Sequence, residues 1–380
     1  MKIILLGYIV RGPVGGLVWH HFQYALGLKL LGNDVLFLEQ SGNYPSCYNP
    51  VSHEFSTDPS FGLEFINSIF SKHGLKHQWA YFDEHSNQWH GKTKQEVITF
   101  SKDADILLNL SGINQLDDIF LNIPIKAFID TDPLFTQIRL LKNPAMNQNA
   151  KEHNAFFSFG ENIGNEDCII PSHQYNWAPT RQPVIPGLWI QSKEITSKAN
   201  WTTVMQWESY ENVEWNGKVF GMKSDSFQGF LNTPKIFKEQ FELALGGSTA
   251  PTEKLKTYGW NIINPTEVTL TPESYQMYIS QSKGEWSVAK EGYVSSNSGW
   301  FSERSAAYLM SGKPVVVQET GFSKFIKSGK GLFSFKSPLE LESIFNEINL
   351  DYNSQSKHAR EIAMEYFHFE KVLKHLLEKI

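Results

Sequence analysis

The first 39 residues constrain the fold more than any other part of the chain. An apolar run at residues 3–6 leads through Gly7, Gly12, Pro13, Gly15 and Gly16 into a stretch where Leu17, His20, His21, Tyr24, Ala25, Leu28 and Leu31 recur at helical spacing. That stretch stops at Gly32-Asn33, and a second apolar run follows at residues 34–39. Strand, glycine-rich turn, helix and strand make a βαβ unit, which opens an α/β domain. Glycines at such a turn let backbone amides approach a ligand closely, and the amides of a helix's first turn suit an anion, commonly a phosphate. Gly15 and Gly16 are the candidates for that contact.

At 380 residues the chain exceeds the size at which one hydrophobic core keeps growing, so two domains are expected. The composition, 41% hydrophobic and 14% aromatic with 11 Trp, is that of a globular protein. A net charge of −6 leaves no global basic field, so nucleic acid is not an expected partner. No apolar stretch is long enough to span a membrane, and the N-terminus runs into a strand without a basic leader. A cytoplasmic location is expected. The two cysteines, Cys47 and Cys168, lie in unrelated contexts and offer neither a disulfide framework nor a metal site.

Strand patterns continue at residues 105–110 and 125–129, ending in Ser111-Gly112 and Asp130-Thr131-Asp132-Pro133, with helices near 62–72 and 92–101. Pro171, Pro179, Pro183 and Pro186 make residues 171–186 poor material for helix or strand and mark the approach to a boundary. A strand restarts at 201–207, followed by a hairpin at 213–220 turned on Asn216-Gly217. Further strands are predicted at 241–245, 260–264, 285–289 and 314–318, with helices at 252–257, 272–282 and 301–311. Residues 357–379 read as one closing helix whose stripe of Ile362, Tyr366, Phe369, Val372, Leu373 and Leu376 needs a cover. The expectation is an α/β protein with two Rossmann-like, doubly wound domains at residues 1–190 and 191–355, and a terminal helix at 356–380.

Gly15-Gly16, followed by Ala25, Gly27, Leu28, Gly32 and Val35, resembles the opening of GT-B glycosyltransferases of the group 1, or family 4-like, superfamily; Asn33-Asp34 replaces the usual His-Glu pair. Residues 298–317, where Ser311-Gly312-Lys313-Pro314 lead into a valine run, resemble the donor-site helix of that family and the strand after it. The resemblance implies two domains facing a cleft, with a nucleoside diphosphate sugar held mainly by the second and an acceptor by the first. It also implies a last helix that crosses back onto the first domain, and metal-independent transfer without a further cofactor. The glutamates of the retaining pattern fall on Gly299 and Ala307, and the acidic residue stands at Glu303 instead. Retaining and inverting stereochemistry both stay open.

Glycosyl transfer needs positive charge or helix-end amides at the departing diphosphate. The donor-side candidates are Lys223, Gly299, Glu303, Arg304, Ser305, Thr320 and Gly321, together with Gly15 and Gly16. Arg304 could equally form an ion pair, Lys223 could be merely solvated, and Glu303 could simply favour a helix dipole. An inverting reaction needs a base, for which His20, Asp130 and Asp132 are candidates against core-histidine and turn-aspartate roles. Because neighbouring helical residues point about 100° apart, at most one of His20 and His21 is expected to face the cleft, and His20 is the favoured one. Asp130-x-Asp132 also resembles the metal-binding pair of GT-A enzymes, an architecture that leaves the second α/β half unexplained. A nonhydrolysing nucleotide-sugar epimerase and a non-catalytic nucleotide-sugar-binding protein share the expected fold. A dinucleotide oxidoreductase would rest on Glu39 without a Gly-x-Gly-x-x-Gly fingerprint.

Overall fold

Continuous apolar runs form strands covered on both faces, the setting of parallel sheets. Ile3, Ile4, Leu5 and Leu6 are fully buried. In the computed structural model, which describes residues 1–172, 174–191 and 199–380, strand Lys2–Leu6 pairs in parallel with Asp34–Gln40 on one side and Ile106–Leu110 on the other. Among the described residues this sheet has eight strands, in the order Trp177–Pro179, Ala155–Ser158, Ile125–Asp130, Ile106–Leu110, Lys2–Leu6, Asp34–Gln40, Trp79–Asp83 and Gln88–Gly91. The last strand alone runs antiparallel. Among the described residues a second sheet has six strands, all parallel: Asn261–Ile263, Phe241–Gly246, Trp201–Gln206, Gly284–Ser287, Val315–Gln318 and Leu332–Phe335.

In each sheet the chain works outward from its first strand and then returns to that strand's other side. The switch falls between Lys2–Leu6 and Ile106–Leu110, and again between Trp201–Gln206 and Gly284–Ser287. Crevices beyond the carboxyl ends of strands at such switch points are where open α/β sheets bind ligands. The loops bordering the two crevices touch each other: Gly160 bridges Trp300, and Asn162 N donates to Ser298 O at 3.2 Å. One apolar core runs through the contact, including Trp19, Trp189 and Tyr275.

Two expectations need correction. Residues 171–186 are not without regular structure, because Trp177–Pro179 forms the edge strand beside Ala155–Ser158; Pro179, which lacks an N–H, is tolerated at an edge. The closing helix is broken into Tyr352–Tyr366 and Phe369–Glu378. At the break, Val184 N donates to Phe367 O at 2.7 Å and Phe369 N donates to Val184 O at 3.0 Å. His368 then caps the new helix by accepting from Glu370 N. This last helix crosses back onto helix Gly15–Leu30, where a Cβ on Gly27 would come within 2.7 Å of Leu373 Cδ1, and Phe369, Val372, Leu373 and Leu376 are buried. The hairpin turns on Asn216 (φ 52°) and Gly217 (φ 72°), as the Asn-Gly pair predicts. The predicted boundary at 190/191 abuts residues 192–198, outside the described residues.

Candidate functional site

The first-sheet wall of the cleft begins with residues 7–14, where Lys2–Leu6 ends. Their amides converge on an anion, but it is internal: the buried Glu39 carboxylate accepts from Ile9 N at 2.6 Å and from Val10 N and Arg11 N at 2.8 Å. Arg11 Nε adds a contact at 3.3 Å. Gly15 and Gly16 sit where the two sheets' helices meet. A Cβ on Gly15 would lie 2.7 Å from Thr271 O and from Tyr275 Cβ, and one on Gly16 3.3 Å from the Tyr275 ring. Trp19 Nε1, donating to Pro272 O at 2.9 Å, reinforces that contact.

One turn further, the two histidines diverge. His21 is fully buried, donates from Nδ1 to Leu17 O at 3.0 Å, and has no partner at Nε2 among the described residues. His20 retains slight exposure and meets Gln182 through Nδ1. Burial lowers the pKa of both rings. Asp130 is enclosed: it accepts from Ser158 Oγ at 2.6 Å, Gln137 Nε2 at 2.8 Å and Asp132 N at 2.9 Å, and burial raises its pKa. Asp132 instead reaches across the cleft, accepting from Lys290 Nζ at 2.8 Å and from the hydroxyls of Tyr210 and Tyr293. Arg139 lies 3.5 Å away on its own side. Burial alone would raise the Asp132 pKa, but Lys290 and the hydroxyl donors outweigh it and the net shift is downward. Both carboxylates are thus committed to protein donors, unlike the open pair of a metal-binding Asp-x-Asp.

The second-sheet wall is built from the ends of its central strands. Ser302 caps helix Glu303–Met310 by accepting from Arg304 N at 3.2 Å. Arg304 turns inward, donating to Glu285 Oε1 at 2.6 Å, Val204 O at 2.9 Å and Ser287 Oγ at 2.9 Å. Its guanidinium forms a buried ion pair that ties the helix to the middle of the sheet. Ser305 and Thr320 line the same recess as Arg304 and Ser287, and Thr320 Oγ1 donates to Trp300 O at 2.5 Å. Gly299 (φ 75°) and Gly321 (φ 95°) both need the left-handed region; a Cβ on Gly299 would strike Asn162 N at 2.5 Å, so this glycine permits the closed contact between the walls.

Solved structures match this chain over nearly its whole length. An alpha-glucosyltransferase in complex with UDP and a mismatch-containing 13-mer DNA is 11% identical, with a TM-score of 0.61, covering 99% of this chain and 98% of that one. Sucrose-phosphate synthase from Thermosynechococcus elongatus is 11% identical with a TM-score of 0.55, covering 100% and 98%. AviGT4, a glycosyltransferase involved in avilamycin A biosynthesis, is 12% identical with a TM-score of 0.54, covering 100% and 96%. The fold is GT-B. No protein-family model matches the chain, and no curated protein does.

Within the GT-B cleft the charges are unevenly matched. Lys223 opens the short helix Lys223–Phe227, which follows the hairpin beyond strand Trp201–Gln206. Burial, then the charges of Arg304 and Lys290, push its pKa well below the usual 10.5, with Glu303 and Glu285 opposing. Among the described residues it forms no ion pair. Glu303, half-buried at the head of its helix, acts through space on Lys223, on Arg304 and on His20 across the cleft. Lys290, Tyr210, Tyr293, Glu285 and Gln182 escaped the sequence reading. Lys290 carried a signal, since it lies just beyond strand Gly284–Ser287, at the carboxyl edge of the sheet; the others are tied to the site through partners far away in sequence.

Proposed function

We propose that this chain transfers a sugar from a nucleoside diphosphate sugar, with uridine as the base, to an acceptor hydroxyl in the GT-B cleft. The observation that carries the reading is Lys223, a half-buried lysine set near Arg304 and Lys290, with Glu303 and Glu285 opposing them, beyond the carboxyl ends of the second sheet's central strands. A half-buried lysine that has no carboxylate partner among the described residues can take an anion, and a diphosphate supplies that charge. The named alpha-glucosyltransferase structure was obtained with UDP, which supports uridine as the first base to test.

In this reading Lys223, with Lys290 beside it, stabilises the charge that develops on the departing diphosphate. Glu303 accepts from a donor hydroxyl. Arg304 acts from behind, holding Glu303–Met310 in place through Glu285. His20 faces the acceptor side, and the closed walls limit water that would otherwise hydrolyse the donor. A net charge of −6 favours a small-molecule or glycan acceptor over DNA.

The test is a thermal-shift series with UDP, GDP, dTDP, CMP and NAD, with and without magnesium, followed by hydrolysis and transfer assays on sugar nucleotides of the base that binds. Ligands that bind the native state raise the melting temperature by mass action. A magnesium-independent shift with UDP and turnover of a UDP-sugar are expected. A shift with NAD alone, or with none of the five, contradicts the proposal, and interconversion of a sugar nucleotide without any acceptor makes the protein an epimerase.

A further inference from the structure

The contacts of one side chain decide which nitrogen of His20 carries the proton. Gln182 is only 2% exposed, and its Nε2 donates to two backbone carbonyls, His20 O at 3.1 Å and Pro183 O at 3.0 Å. Turning the amide over would set its oxygen against both carbonyls, so its orientation is fixed by neighbours that can only accept. Gln182 Oε1 therefore faces His20 Nδ1. An amide oxygen only accepts, so Nδ1 is the protonated nitrogen, and a neutral imidazole then has a bare lone pair at Nε2.

The ring is walled by His21, Tyr24 and Phe159, with centroids 4.6, 6.2 and 6.1 Å away. Among the described residues no group bonds to Nε2. We propose that Gln182 is a positioning residue, holding His20 as the Nδ1–H tautomer so that Nε2 accepts a hydrogen bond from a substrate hydroxyl in the cleft. Burial also favours the neutral ring, against the pull of Glu303. An amide suits the task better than a carboxylate: it selects the tautomer without adding a charge that would stabilise the imidazolium. The tautomer stands on these contacts alone, whereas the identity of the hydroxyl rests on the transferase reading.

Long-range 1H–15N correlation spectra of the full-length protein labelled at histidine read the tautomer directly, with His20→Gln identifying the signal. The expected spectrum has a protonated Nδ1 and an unprotonated Nε2, and UDP-glucose shifts the Nε2 resonance. Gln182→Met should mix the tautomers and slow UDP-glucose turnover about tenfold at unchanged UDP affinity, the effect on His20 of losing its side-chain partner at Nδ1. Protonation at Nε2 in the native protein overturns the proposal, as does an unchanged tautomer in a folded Gln182→Met variant. If the tautomer is as assigned but UDP-glucose does not bind, the transferase reading falls and the control of His20 by Gln182 is supported.

Discussion

Lys223 is half-buried near Arg304 and Lys290, a setting that disfavours its charge. Between its depressed folded pKa and the usual 10.5 the native state binds fewer protons than the unfolded chain, so Lys223 costs stability as pH falls through that window. An anion reverses the preference. UDP binding should therefore take up a proton and tighten as pH falls from the ordinary lysine range toward neutrality. Calorimetry in buffers of different ionisation enthalpy measures that uptake, and binding that releases protons over this range would contradict the assignment. The sequence displayed Arg304 and Glu303 through the Gly-x-Pro pattern after them, yet could not tell which faces the cleft. Arg304 turns inward because Glu285 and Ser287, on a strand 17 to 19 residues earlier, complete its hydrogen bonds. Asp132 and Lys290 stand 158 positions apart, and neither carries any local mark of the other.

Among the elements, the βαβ opening and the run of parallel strands were legible because each needs an unbroken apolar stretch between turn residues. Short edge strands such as Ala155–Ser158 and Trp177–Pro179 were not, since neighbouring strands define them more than their own residues do. The break in the closing helix is likewise imposed from outside, by the Val184 bridge. Gly15 and Gly16 were read as phosphate contacts from their position alone, whereas the structure shows them seated against Thr271 and Tyr275. Gly15→Ala places a methyl group 2.7 Å from backbone and side chain of the second-sheet helix, so the two walls must shift. Overpacking of this kind costs about 1–3 kcal/mol. Denaturant unfolding should show that loss together with reduced turnover; a variant with native stability and native turnover would show that the contact does not govern closure.

For the whole molecule, closure depends on charge as well as on packing. Asp132 receives Lys290, Tyr210 and Tyr293 from the opposite wall, so Asp132→Asn leaves Lys290 without its anion and should cost about 2 kcal/mol, less than a fully buried pair because the site is partly wetted. Small-angle scattering of this variant should give a larger radius of gyration than the native protein; an unchanged radius would place closure in the apolar contacts alone. Acid acts from a different direction. Burial lowers the pKa of His153 to about 4, and those of His20 and His21 fall below the usual 6.5 as well. Below 6.5 the unfolded chain takes up protons that the native state refuses, so stability is full above 6.5 and declines as pH falls from there toward about 4. Melting temperatures that stay flat across this window would mean that these rings are wetter than their burial indicates.

The most direct test of the central claim compares calorimetric titrations of UDP and uridine into the native protein and into Lys223→Met. The native protein should bind UDP far more tightly than uridine, and Lys223→Met should lose about 10- to 100-fold in UDP affinity while binding uridine unchanged, the effect of removing a charge-assisted contact to phosphate. Equal affinities for UDP and uridine in the native protein, or a Lys223→Met variant that binds UDP as the native protein does, would show that the cation cluster is not a diphosphate site.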